Sequence, residues 1–245
     1  GREFSTRLLD RITDIQDRSA SPLQELKAVG LIYEKRLSSE QAYIFKHALT
    51  HDVAYGSLLI QRRKELHRII ALAIETLYAD RLAEQYEVLA HHFTRAEDWS
   101  HALGYLLRSA EKALKSFANR EAVVLYDKAL DVTSRLEGSV DVKVLMSIRE
   151  AKANAYFALS DFLNSHAESE CLLALARHTG DRVKEGAALA SMAFSSFWAH
   201  DFEKALEESR QALDVATQVD AAPVIAASRF TNGYIYATTE RLEAA

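Results

Sequence analysis

The stretch SMAFSSFWAHDFEKALEESRQAL, Ser191 to Leu213, decides how the chain folds. Small residues and aromatics recur in it at helical spacing, and His200-Asp201 interrupts them only briefly. Apolar residues three and four apart share one helix face, so the pattern predicts a helix, a tight turn and a second helix. Forty residues on, TNGYIYATTERLEAA (Thr231–Ala245) has the same layout. Ala193 aligns with Gly233, Ser196 with Tyr236, Phe202 with Leu242 and Ala205 with Ala245. Forty residues back, Ala153, Tyr156, Phe162 and Ser165 stand around NAYFALSDFLNS (Asn154–Ser165) in the same register. Upstream, LAHHFTRAEDWSHAL (Leu89–Leu103) carries Ala90, Phe93, Trp99 and Ala102, and ANREAVVLYDKAL (Ala118–Leu130) carries Ala122, Tyr126 and Ala129. A self-similar period of this length means stacked helix pairs, each burying the apolar face of its neighbour.

These residues resemble the tetratricopeptide repeat, a helix–turn–helix unit with small residues where its helices cross and aromatics filling the gaps. The resemblance rests on Ala90/Phe93/Ala102, Ala122/Tyr126/Ala129, Ala193/Ala205/Ala212 and Gly233/Tyr236/Ala245 and covers about residues 82–245. The period is longer than the roughly 34 residues usual for that repeat, so its helices are longer here. The Ala102 and Ala122 units overlap, so one helix serves two alignments, and Val140–Thr179 matches poorly. A plain helical bundle is the alternative. The chain stops at the start of a repeat's second helix, and a half-finished repeat has no partner for its apolar face. The last repeat is therefore expected to be truncated and the native protein to continue.

Composition agrees with helices. The 245 residues include only two prolines and eight glycines, and both prolines open helical patterns, where the missing N–H costs nothing. Expected helices follow Thr50 without exception: one long stretch Asp52–Tyr78, then Leu82–Arg95, Ser100–Phe117, Asn119–Leu136, Val140–Ala158, Phe162–Thr179, Asp181–Ala199, Phe202–Val219 and Pro223–Thr239. Breaks of one to three residues force antiparallel neighbours. The first fifty residues differ. Phe4, Leu8, Leu9, Ile12 and Ile15 form a helical stripe, Ser21 is a candidate N-cap with Gln24 three residues on, and Gly30 is a natural stop. Leu31–Lys35 and Ala42–Lys46 then flank the polar turn Leu37-Ser38-Ser39-Glu40, a hairpin signature. The expected fold is all-α: a solenoid of antiparallel helix pairs over 82–245, a long connecting helix over 51–81, and a winged-helix-like domain with a short β-hairpin over 1–50.

The chemistry-bearing classes are excluded in turn. Lysine plus arginine number 30 against 35 acids, a net charge of −5, so non-specific nucleic-acid binding gets no electrostatic help. The candidate recognition helix Pro22–Val29 offers only Gln24, Glu25 and Lys27, which disfavours DNA. There is no Gly-x-Ser-x-Gly elbow, no phosphate-binding Gly-x-x-x-x-Gly-Lys-Ser/Thr loop and no base beside the single cysteine, Cys171, so no enzyme activity and no cofactor are expected. His47 and His51 lie four apart, but nothing completes a zinc spacing, so no metal is expected. Cys171 sits in the apolar run Cys171–Leu175 and reads as core; a lone cysteine fits a reducing, cytoplasmic setting. No run of about 18 apolar residues and no signal peptide is present, so no membrane span is expected.

The stretch Phe45–His67 belongs to a second resemblance. Gly1-Arg2-Glu3-Phe4, Gly30-Leu31-Ile32, Tyr43 to Leu49, Val53-Ala54-Tyr55, Leu58-Leu59, Arg62-Arg63-Lys64, Leu66-His67 and Leu89 to Phe93 form an ordered series. It resembles a segment of bacterial multidomain regulators in which a signal-transduction ATPase of the STAND/AAA type, often fused to an adenylate/guanylate cyclase domain, is followed by repeats. The resemblance spans about Gly1–Leu114 and implies an ATPase core upstream of Gly1. On that reading His47, Arg62, Arg63, Lys64 and His67 belong to a basic interdomain joint that meets an acidic partner domain or a nucleotide phosphate. The functional expectation is a non-catalytic sensor or docking region. If the repeat register holds, Asn154, Phe157, Phe194, Trp198, Phe230 and Tyr234 line a nearly uncharged groove suited to an apolar peptide or protein helix. A free-standing scaffold or adaptor is the runner-up, and a winged-helix DNA-binding regulator the third reading.

Overall fold

The computed structural model describes residues 3–12, 20–37, 40–136 and 138–243, which divide into two compact units between Arg108 and Ser109. In the first unit, β2 (Ile32–Leu37) and β3 (Glu40–Phe45) form the expected antiparallel hairpin, with Ile32 opposite Phe45 and Leu37 opposite Glu40. Its tip, Ser38-Ser39, lies outside the described residues. An additional strand, β1 (Glu3–Ser5), runs along the other edge of β3, giving the order β1-β3-β2. The helical stripe placed Phe4 in a helix; instead α1 spans Thr6–Ile12 and Phe4 is a strand residue opposite Tyr43. Two terms override the helical period here. The edge of β3 gains a hydrogen-bonding neighbour, and the Phe4 ring settles 6.0 Å from both Tyr43 and Phe45. Ile15 lies outside the described residues.

Helix α2 (Ala20–Ala28) starts before Ser21, so Ser21 lies inside it rather than ahead of it. Pro22 is then its third residue, still in the turn whose N–H groups have no intrahelical acceptor. The helix ends as expected at Gly30, with φ +71. The Leu31 N–H reaches the Leu26 carbonyl at 2.9 Å and the Gly30 N–H reaches Lys27 at 3.0 Å, a double closure that needs a left-handed residue. Leu23, Ile32 and Tyr43 form the small core of this region, with Phe4, Leu9, Leu26 and Phe45 packed against it.

The single helix expected over 51–81 is two helices and a 3-10 turn. Helix α3 (Ala48–Ser57) and α4 (Ile60–Leu77) are separated at Leu58-Leu59, where the backbone is extended, and Ala79–Glu84 follows as the turn. Arg63 fills the break. Its Nε donates to the Leu58 carbonyl at 2.9 Å and its Nη2 to Gly56 at 2.8 Å, satisfying carbonyls that a continuous helix would have bonded itself. Helices α5 (Tyr86–Arg95) and α6 (Trp99–Lys115) follow.

The second unit holds α7 (Asn119–Arg135), α8 (Val142–Ala158), α9 (Phe162–Thr179), α10 (Arg182–Trp198), α11 (Phe202–Gln218) and α12 (Ala222–Glu243). Its last four turns are built alike. Ser160, Gly180, His200 and Asp220 stand twenty residues apart and are all left-handed, with φ of +60, +71, +64 and +52. The N–H after each reaches back 2.9 Å to the carbonyl five residues earlier: Asp161 to Tyr156, Asp181 to Ala176, Asp201 to Ser196, Ala221 to Ala216. In three turns that next residue is an aspartate, which also accepts from the new helix: Asp161 from Asn164 at 3.2 Å, Asp181 from Lys184 at 3.0 Å, Asp201 from Lys204 at 3.2 Å. One dipeptide thus ends a helix and caps the next.

Between these helices the small residues do what the repeat pattern requires. Ala176, Ala188, Ala193, Ala205 and Ala212 are fully buried and let the helices approach. Serines share the seam: Ser165 pairs with Ser195 at 3.0 Å and Ser169 with Ser191 at 2.9 Å, whereas the buried Ser228 hydroxyl has no partner among the described residues. Cys171, expected in the core, is exposed. The buried face of α9 runs through Glu168, Ser169, Leu172, Leu173 and Ala176, and position 171 falls off that stripe. Ala245, the last residue of the repeat alignment, lies outside the described residues. Among the described residues no helix is long and apolar enough to cross a membrane.

Candidate functional site

Four of the six expected groove residues meet in one place. Asn154 and Phe157 on α8, Phe194 on α10 and Phe230 on α12 line a cleft of about 480 Å³. They meet because α8, α10 and α12 repeat at forty residues, so their equivalent faces stand side by side. Ala187, Ala190, Ala227, Pro223 and Val224 also line the cleft. No charged side chain lines it. Phe157 stacks on Phe194 with ring centroids 5.0 Å apart, and Phe230 is 63% exposed. The other two, Trp198 and Tyr234, lie one turn further along α10 and α12 and border an adjacent recess. Sequence reasoning missed Phe162, which lies 5.3 Å from Phe157 and 6.1 Å from Trp198, and Pro223, read only as a helix opener. Their signal was position: both open a helix beside the aromatic stripe of the one before or after.

A buried ionic network stands behind the same helices. Lys152, 6% exposed, bonds Glu168 at 2.5 Å and Asp127 at 2.6 Å, and Arg149 bonds Glu168 at 2.6 Å. Burial pulls the Lys152 ammonium toward neutrality, but hydrogen bonds to Asp127 and Glu168 outweigh it and the pKa is raised. Forty residues on, Glu208 accepts from His166 at 2.7 Å and from Ser196 at 2.8 Å.

In the first unit the expected basic joint is a set of internal contacts. His47 is exposed at the N-cap position of α3 and makes no side-chain capping bond. Arg62 is exposed and pairs with Glu65 at 3.0 Å. Arg63 caps α3, with its guanidinium 5.0 Å from the Tyr55 ring, and Lys64 pairs with Glu97 at 2.6 Å. His67 is 9% exposed. Its Nε2 meets the Tyr55 hydroxyl at 3.0 Å and its Nδ1 meets Nδ1 of His92 at 2.9 Å. Two neutral imidazoles satisfy this chain with one proton per contact, and charging either ring would bury a cation beside other histidines. Burial, then the neighbouring histidines, lowers His92 from 6.5 to about 3, and burial with His91 lowers His67 to about 4. Among the described residues no cluster of three or more His, Cys, Asp or Glu is arranged to hold a metal ion.

No family model matches the chain, and comparison with curated proteins gives no match. Solved structures do match. The TPR-like repeats of a kinesin light chain from Podospora anserina are 16% identical, with a TM-score of 0.53, over 76% of this chain and 89% of that one. Aspartyl phosphate phosphatase F from Bacillus subtilis is 12% identical, TM-score 0.55, over 92% of this chain. The Rap conjugation gene regulator of plasmid pLS20, in complex with the Phr* peptide, is 14% identical, TM-score 0.53, over 79%. This chain covers 58% of each of the latter two. At these identities the likeness is one of fold, a TPR-like α-solenoid of antiparallel helix pairs; the three-stranded sheet is this chain's own, within residues 3–45.

Proposed function

We infer that this chain is a non-catalytic interaction region whose repeats bind an apolar peptide or protein segment. The observation that carries this reading is the uncharged, partly exposed aromatic cleft between α8, α10 and α12. Apolar anchors in such clefts supply most of the energy of peptide recognition. The pLS20 regulator, similar in fold, is described in complex with a peptide, which supports the same use of the same architecture. The order strand, two helices, hairpin in residues 3–45 supports a winged-helix-like domain. Together with the ordered motifs of Gly1–Leu114 it supports the finer reading, a sensor tail that biases an upstream STAND-type ATPase or cyclase in the cytoplasm. DNA reading is disfavoured further: Lys27, the one base on α2, is held by Glu34 at 2.8 Å and its pKa is raised by that bond.

Selection of displayed peptides on the 245-residue chain tests the groove. Recovered peptides are expected to be apolar and to lose at least about tenfold in affinity with Phe194→Ser plus Phe230→Ser, at unchanged helix content by circular dichroism. Peptides that bind the double variant as well as the parent would sink the reading.

A further inference from the structure

One turn beyond the apolar cleft, α10 and α12 border a second recess of about 740 Å³ with a different lining. Phe197 is its floor, 7% exposed and packed against Ala205 and Ile235. Two rings stand nearly perpendicular to that floor. Trp198 meets it at 80° with centroids 5.7 Å apart, and Tyr234 at 84° and 5.2 Å. Phe202 closes a third side at 5.7 Å. Each wall is braced from behind. Trp198 stacks on Phe162 at 24°, and Tyr234 on Phe230 at 27°, and the two rings remain 44% and 51% exposed. Among the described residues no lysine or arginine lies over these rings; the cation–ring contacts all involve other tyrosines.

We propose that this recess is a binding site for a methylated ammonium group, the trimethylammonium head of a small molecule or of a modified lysine. Exposed ring surface of Trp198 and Tyr234 beside Phe197 and Phe202 offers the negative side of aromatic quadrupoles, which attracts a cation within about 6 Å of a ring. The other lining residues, His200, Ala237 and Thr238, bring no fixed positive charge. Trp198 ends α10 and Phe202 begins α11, so the two helix dipoles oppose each other at the recess, and the charge that follows in the chain is that of the exposed carboxylates Asp201 and Glu203. A primary ammonium would leave its three donors facing rings; methyl groups make van der Waals contact with them instead. A neutral apolar group has no reason to prefer this recess to the cleft beside it.

The site shares Trp198 and Tyr234 with the proposed groove but stands or falls separately, because Ala187→Tyr fills the apolar cleft without touching the recess. The probes are choline and its carbon isostere 3,3-dimethyl-1-butanol, added to a Trp99→Phe chain in which Trp198 is the remaining tryptophan. Choline is expected to change Trp198 fluorescence, to show upfield-shifted methyl protons, and to bind on the order of tenfold more tightly than the isostere. Tyr234→Leu, followed by the choline methyl shift, is expected to cost a similar factor, and Ala187→Tyr none. A trimethyllysine peptide run against choline separates the two sources of the head group, and tighter binding of either supports the site. Equal affinity for choline and the isostere, no upfield shift at all, or binding untouched by Tyr234→Leu overturns it.

Discussion

Helix ends are closed in two ways in this molecule, and the contrast separates its regions. From Ser160 to Ala221 a left-handed residue and the one after it end a helix and begin the next, every twenty residues, while the α7–α8 junction is closed differently. In residues 1–108 that device occurs at Glu97-Asp98, where Asp98 reaches back 3.0 Å to Phe93, but α3 ends differently. There an arginine from the following helix supplies the missing donors. The first method uses backbone geometry and a short side chain, so it can be repeated indefinitely. The second uses one long side chain and one particular set of neighbours, and it works once. The histidine chain Tyr55–His67–His92 belongs to the second kind. One region is held by a rule, the other by individual contacts.

Acid is expected to separate the regions most widely. His67 and His92 are held neutral in the fold, with values depressed to about 4 and about 3. The unfolded chain takes up protons from about pH 6.5 downward while the fold does not, so their contribution is intact above that pH and is lost as pH falls toward 4. Amide exchange in α4 and α5, corrected for intrinsic rates, should quicken on the order of tenfold or more between pH 7 and 4.5. His92→Leu should flatten that slope. A slope unchanged by the variant would remove the histidine chain from the comparison.

Lys152→Met should cost about 2 kcal/mol, because it removes the cation shared by Glu168 and Asp127 while Arg149 still pairs with Glu168. Adding Glu168→Leu should recover much of the loss in urea titrations; a simply additive pair would mean that the network is not coupled. Arg63→Met should cost about 2 kcal/mol through two carbonyl bonds, with faster exchange confined to α3 and the start of α4. Asp201→Ala should cost only about 1 kcal/mol, since the Asp220-Ala221 turn closes without a capping aspartate. If Asp201→Ala proved as damaging as Arg63→Met, the two kinds of helix end would not differ in kind. Ser160→Gly should stabilise by about 0.5 kcal/mol, because it relieves a left-handed residue that carries a side chain.

What was legible in the sequence follows the same division. Phe162–Thr179 matches α9 at both ends, and the helices around it differ from expectation by a few residues. Alanines 193, 205 and 212 were readable as crossing points because small residues at a fixed period have few other uses. Phe157, Phe194 and Phe230 were readable as neighbours because the period sets α8, α10 and α12 side by side. The break at Leu58-Leu59 was not readable: the residues on either side keep a helical pattern, and the interruption depends on where the Arg63 side chain lies. Phe4 misled because its spacing to Leu8 suits a helix, while the unpaired edge of β3, forty residues away, decides in favour of a strand. The partners of His67 lie at 55 and 92, and no local pattern joins them.

The twenty-residue turn also bears on how such a chain changes length between generations. Removing residues 161–200 joins Ser160 directly to Asp201, a junction already present in chemical kind, left-handed residue followed by capping aspartate. The excised segment is one whole helix pair, α9 with α10, and Phe157 would take the place of Phe197 beside Phe202. Such a chain should fold with the same helix fraction per residue by circular dichroism, whereas a deletion of thirty residues from the same start should not. Unequal crossing-over in register at these turns therefore gains or loses a repeat without inventing a new joint.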